Sequence, residues 1–138
     1  MAEPTQKQKI GRLGEDIAVK HLENKGFTII CLNYRKKCGE IDIIAQKGKI
    51  LHFVEVKTVS HVTLQKLNLC NVTCETDRYR AEDNIHEYKL KRLARTIQLY
   101  LLEKYPKGEP EWQFDAIVVR LDTKNRQAKV KFLEDIII

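Results

Sequence analysis

The run GEIDIIAQKGKILHFVEVK, residues 39–57, constrains this chain more than any other stretch. It reads as two β-strands around a tight turn, yet it carries Glu40, Asp42, Glu55 and Lys57 where strand interiors are apolar. With Lys47-Gly48 as the centre of a two-residue turn, Gln46 pairs with Lys49, Asp42 lies opposite Phe53 and Glu40 lies opposite Glu55. Alternation along a strand then puts Glu40, Asp42, Phe53, Glu55 and Lys57 on one face. Ile41, Ile43, Val54 and Val56 point to the other. The charged face is apolar towards the turn, through Ile44, Leu51 and Phe53, so a core surface becomes a polar pocket at its far end. A one-residue slip in the turn would place Asp42 and Glu55 on opposite faces.

Diagonal neighbours such as Asp42 and Glu55 would have Cα atoms about 7–8 Å apart, so both carboxylates can reach one cation. Oxygen donors of this kind suit Mg²⁺ or Mn²⁺, and a bound divalent ion polarises phosphoryl oxygens and acidifies water. Lys57 would point to the same spot and orient that water. The competing reading is a plain ion pair between Glu55 and Lys57. Strands apolar on both faces are central, and an unpaired charge there is costly, which favours the metal pocket.

The rest of the chain supplies a frame. Ile10, Gly14, Ile17, Ala18 and Leu22 form a helical stripe from about residue 10 to 25, stopped by Gly26. Glu15 sits at the edge of that stripe, where it either complements the helix dipole or leans over the strand pocket. Gly11 and Gly14 permit close approach to the sheet or a ligand. Residues 27–34 predict a first strand, followed by a basic turn at Arg35, Lys36 and Lys37. Residues 61–85 have no clean period and predict a flexible segment acting as a flap or dimer contact. Leu90, Leu93, Ala94, Ile97 and Leu101 predict an amphipathic helix over 86–105, with Lys89, Lys91, Arg92 and Arg95 crowding its first half. Residues 112–121 and 127–136 predict two further strands. Asp115 inside the first of these reads as an edge-strand charge or a supporting acid. The predicted order is αβββαββ, an α/β (α+β) single domain with a mixed central sheet flanked by helices.

GRLGEDIAVKHLENKGFTIICLNYR, GEIDIIA, FVEVKT, KLKRLARTIQLYL and QFDAIVV occur in an order that resembles the UPF0102 (YraN-like) family. Through GEIDIIA and FVEVK the chain also resembles the PD-(D/E)xK nuclease superfamily. The resemblance implies a restriction-endonuclease-like fold related to Holliday-junction resolvases. It also implies Asp42, Glu55 and Lys57 as a core triad, with Glu15 as a further acid and Lys89 approaching the pocket. Two departures stand out: Ile41 replaces the superfamily's proline, and no arginine follows Lys57 within Thr58-Val59-Ser60.

The net charge of +6 suits a polyanion, and Arg35, Lys36, Lys37, Lys89 and Arg92 are the candidate phosphate contacts. Solvated basic faces are the bland alternative for these residues. The N-terminal run lacks an apolar signal core and no apolar run is long enough to span a bilayer, so a cytoplasmic chain with reduced cysteines is expected. The functional expectation is a Mg²⁺-dependent nuclease acting on DNA, possible as a homodimer. The alternative is a nucleic-acid-binding or interaction module that does not cleave.

Overall fold

A computed structural model describes residues 3–60, 87–122 and 124–137. The elements run α1 (Gln6–Asn24), β1 (Thr28–Lys36), β2 (Gly39–Lys47), β3 (Ile50–Ser60), α2 (Glu87–Lys104), β4 (Trp112–Asp122) and β5 (Gln127–Leu133). Among the described residues this is the predicted αβββαββ order, an α+β arrangement consistent with a restriction-endonuclease-like fold. The predicted flap at 61–85 lies outside the described residues.

The strands form one sheet in the order β1-β2-β3-β4-β5. All neighbours are antiparallel except β3 and β4, which are parallel from Leu51↔Trp112 to Ser60↔Leu121. Parallel strands need a long crossover, and α2 lies within it. Helices α1 and α2 cover opposite faces of the sheet. Ala18 and Leu22 of α1 pack on Ile43, Ala45, Val54, Ile117 and Val119. Leu93, Ile97, Tyr100 and Leu101 of α2 pack on Ile41, Ile44, Phe53 and Phe114.

Helix α1 starts four residues earlier than its apolar stripe suggested. Thr5 caps it, accepting from Gln8 N at 3.1 Å while Gln8 Oε1 accepts from Thr5 N at 2.8 Å. This reciprocal capping box needs no apolar residue and so leaves no trace in periodicity. Gly14 lies against β3 so closely that an added Cβ would collide with the Thr58 side chain. The expected close approach to the sheet therefore belongs to Gly14. Around Gly11 there is open space.

The β2–β3 hairpin differs from expectation by two residues. Lys47 pairs with Ile50 and Gln46 with Leu51, so Gly48-Lys49 is the loop. Gly48 has φ +61°, and no such φ occurs at Lys49, which matches a type II′ turn with glycine at its first central position. A shift of two preserves parity, so Phe53 and Glu55 keep their faces. Glu40 is no longer opposite Glu55, and Asp42 is no longer opposite Phe53. Extending the observed register brings Asp42 level with Glu55.

Asp115 is not an edge-strand charge. Strand β4 lies between β3 and β5, and the Asp115 side chain is fully buried.

Candidate metal and nucleic-acid site

The β1–β2 ladder shifts register between Ile29 and Cys31, and the pairing of β1, β2 and β3 is interrupted again around Asn33 and Asp42. Asn33 has φ +53°, and the ladder passes from Leu32↔Ile43 to Tyr34↔Ile41 without registering the intervening pair. The faces change there. Ile43 packs beneath α1, whereas Ile41, two residues away, packs with Ile44 beneath α2. Tyr34 likewise faces α2, its ring 5.2 Å from that of Tyr100. Strict alternation placed Ile41 beside Ile43. The left-handed residue in β1, together with the break opposite it, overrides that expectation.

The β2–β3 ladder also ends here, at Ile43↔Val54. Beyond it the Val56 N–H donates to Asp42 Oδ2 at 2.8 Å. A side chain thus takes up a strand N–H at the point where the two strands part. The space between them is a cleft of about 530 Å³ lined by Glu15, Arg35, Lys36, Gly39, Glu40, Asp42, Glu55, Val56, Lys89, Arg92 and Leu93.

Four carboxylates therefore share one cleft: Glu15 from α1, Glu40 and Asp42 from β2, and Glu55 from β3. Burial, and then the Glu55 carboxylate, push the Asp42 carboxyl up to about 8, with Glu15 and Glu40 adding to the rise. The Val56 hydrogen bond works in the opposite direction without cancelling it. Burial also raises Glu15 above the ordinary carboxylate range, and its Asn33 neighbour opposes that shift. Full ionisation of such a cluster would gather more negative charge than its hydrogen bonds compensate.

All four groups offer hard oxygen donors, so Mg²⁺ or Mn²⁺ fits their chemistry. Asp42 and Glu55 would hold the ion. As the side chains stand, no three of His, Cys, Asp or Glu among the described residues converge into a ready ligand set. Glu55 is instead engaged by Lys89, whose Nζ lies 2.6 Å from Glu55 Oε1.

Lys57 lies two residues beyond Glu55 on β3 and is half-buried. It is not among the residues lining the cleft. Burial lowers its pKa, and Lys89 and Lys7 lower it further.

The predicted basic contacts divide in the same way. Arg35, Lys36, Lys89 and Arg92 line the cleft, whereas Lys37 does not. Arg35 and Lys36 belong to β1 and not to a turn. Arg35 Nε pairs with Glu40 Oε1 at 3.3 Å, and Lys36 Nζ pairs with Glu103 Oε1 at 3.2 Å. Arg92 Nε donates to the Cys38 carbonyl at 2.8 Å and ties α2 to the β1–β2 turn.

Sequence reasoning placed Glu40 on the charged face without assigning it to the site, and it overlooked Asn33. The available signal was an asparagine inside a strand, since asparagine tolerates the left-handed region better than most residues.

The fold and the acidic cleft define an α+β protein with a mixed five-stranded sheet and a carboxylate cluster at a strand break. A family model described as "Uncharacterised protein family UPF0102" matches residues 14–119, so the chain belongs to that family. A UPF0102 protein from Desulfitobacterium hafniense is 36% identical over 123 residues, covering 89% of this chain and 88% of the relative. A UPF0102 protein from Campylobacter hominis is 34% identical over 128 residues, covering 93% of each. Another from Campylobacter lari is 34% identical over 126 residues, covering 91% of each.

Proposed function

We propose that the chain is a divalent-metal-dependent nuclease that hydrolyses phosphodiester bonds in DNA. One observation carries this reading: Asp42, with its carboxyl pushed up to about 8, shares a cleft with three further carboxylates and a basic rim. Asp42 and Glu55 would hold Mg²⁺ or Mn²⁺, with Glu15 assisting directly or through water. When bound, the ion supplies Lewis-acid polarisation and a water of lowered pKa.

The chain's own groups do the rest. Asp42 is aimed by the Val56 N–H, and Glu15 is carried on the helix that Gly14 seats against Thr58. Arg35, Lys36, Lys89 and Arg92 present positive charge to a phosphate backbone. The resemblance to junction resolvases extends the proposal to branched DNA, on fold-level analogy.

The second reading is a DNA-binding module without cleavage. It is favoured by the position of Lys57, which does not line the cleft where a water-orienting lysine is needed.

Cleavage of labelled single-stranded, duplex and four-way-junction DNA, with Mg²⁺, with Mn²⁺ or with chelator, tests the proposal. Metal-dependent cleavage should fall to background in Asp42→Ala and Glu55→Ala. Cleavage that survives both substitutions overturns the mechanism. Salt-sensitive binding without cleavage, unchanged by chelator, establishes the module instead.

A further inference from the structure

We infer that Lys89 is an internal counter-cation of the carboxylate cluster, displaced from Glu55 by a divalent ion and thereby released to a DNA phosphate. This inference rests on the nuclease reading and specifies how its metal and substrate meet.

Two observations carry it. The Lys89 Nζ lies 2.6 Å from Glu55 Oε1, so Lys89 already neutralises one of the two proposed metal-holding groups. The two side chains differ sharply in freedom. Glu55 retains 10% of its side-chain exposure and is fixed in central strand β3, whereas Lys89 retains 52% and sits on a flexible four-carbon stem.

The other cations of the rim are placed differently. Arg35 pairs with Glu40, which is not one of the two proposed metal-holding groups, Lys36 pairs with Glu103 outside the cluster, and Arg92 donates to the Cys38 carbonyl. Lys89 is the rim cation whose observed partner a metal would claim. A dication at Asp42 and Glu55 would repel its ammonium towards the open side of the cleft. A phosphate entering there would be its replacement partner. Metal and DNA would then strengthen each other's binding, reciprocally, as linkage requires.

Lys89→Met keeps the stem and removes the charge. Titration with MnCl₂ alone, followed by calorimetry, should show Mn²⁺ binding to Lys89→Met about five-fold or more tighter than to wild type. Lys89→Arg, a stronger carboxylate partner, should bind Mn²⁺ more weakly than wild type. Affinity for a phosphorothioate duplex should rise with Mn²⁺ in wild type and lose that rise in Lys89→Met. The slope of log affinity against log salt should shrink by about one in that variant.

Mn²⁺ affinity that is unchanged or weaker in Lys89→Met overturns the exchange while leaving the nuclease reading intact. Absence of Mn²⁺ binding in the wild type and both variants overturns the metal-dependent reading, and the exchange with it. Half-exposed Lys89 is an undemanding position for folding, and the opposed Met and Arg outcomes each test the inference alone.

Discussion

Asp115 and Asp42 are both carboxylates in interior strands of the same sheet, and they have opposite surroundings. Asp115 is fully buried and satisfied. Its Oδ2 lies 2.6 Å from His52 Nδ1, and its Oδ1 accepts from Gln113 Nε2 at 2.8 Å and from Asp135 N at 2.9 Å. Through Asp135 it also ties the chain beyond β5 back to β4, beside the Ile136 N–H bond to the Phe114 carbonyl at 2.7 Å. Asp42 accepts one backbone N–H and faces three other carboxylates. A buried acid with a matched set of donors is part of the architecture. A buried acid among other acids resists ionising unless a cation balances its charge. The difference separates two residues that look alike in a strand reading.

The largest test removes the matched acid. Asp115→Ala leaves His52 buried without its partner and should cost about 3–5 kcal/mol, read by chemical denaturation. Mn²⁺ binding by whatever fraction remains folded should be unaffected. A loss below about 1 kcal/mol would break the comparison, because Asp115 would then be dispensable to the fold.

Asp42→Asn should act in the opposite direction. The unfolded Asp42 carboxyl titrates near its ordinary value, while the folded one keeps its proton up to about 8. The folded chain therefore binds more protons between those limits, and metal-free stability must fall as pH rises through that window. Asn removes this penalty and should stabilise the metal-free protein at pH 8 by something on the order of 1–3 kcal/mol. It should also flatten the pH profile and abolish Mn²⁺ binding. Denaturation midpoints from pH 4 to 9, in chelator and in Mn²⁺, read all three effects. A profile equally steep in wild type and Asp42→Asn would assign the slope to another group.

The smallest test concerns the strand break that turns Asp42 into the cleft. Asn33→Ala should cost about 1–2 kcal/mol, since alanine resists the left-handed region. Asn33→Gly, which accepts that backbone, should stay within about 0.5 kcal/mol of wild type. It should still weaken Mn²⁺ binding, because it removes the side chain beside Glu15. Equal stability of the two variants would show that the backbone conformation at Asn33 carries no strain.

The element order was legible because period and punctuation agreed along most of the chain. The helical stripe of Leu90, Leu93, Ile97 and Leu101 delivered α2, and alternation delivered β2 and β3. Asp42 and Glu55 were legible as a pair because a two-residue register shift leaves parity intact. Ile41 was misplaced for the complementary reason: parity holds only while a strand is regular. The start of α1 was missed because capping is polar chemistry, which apolar periodicity does not register.

By itself, then, the sequence determined which segments alternate, which carry charge, and that Asp42 and Glu55 belong to adjoining strands. The tertiary structure decided which acid became architecture and which became a site. His52 and Asp135 reach Asp115 from other parts of the chain and Gln113 from the same strand, while Glu15, Glu40 and Glu55 gather around Asp42 where β2 and β3 part. Local pattern reports what a residue is. Whether a buried charge is matched depends on neighbours distant in sequence, and only folding brings those together.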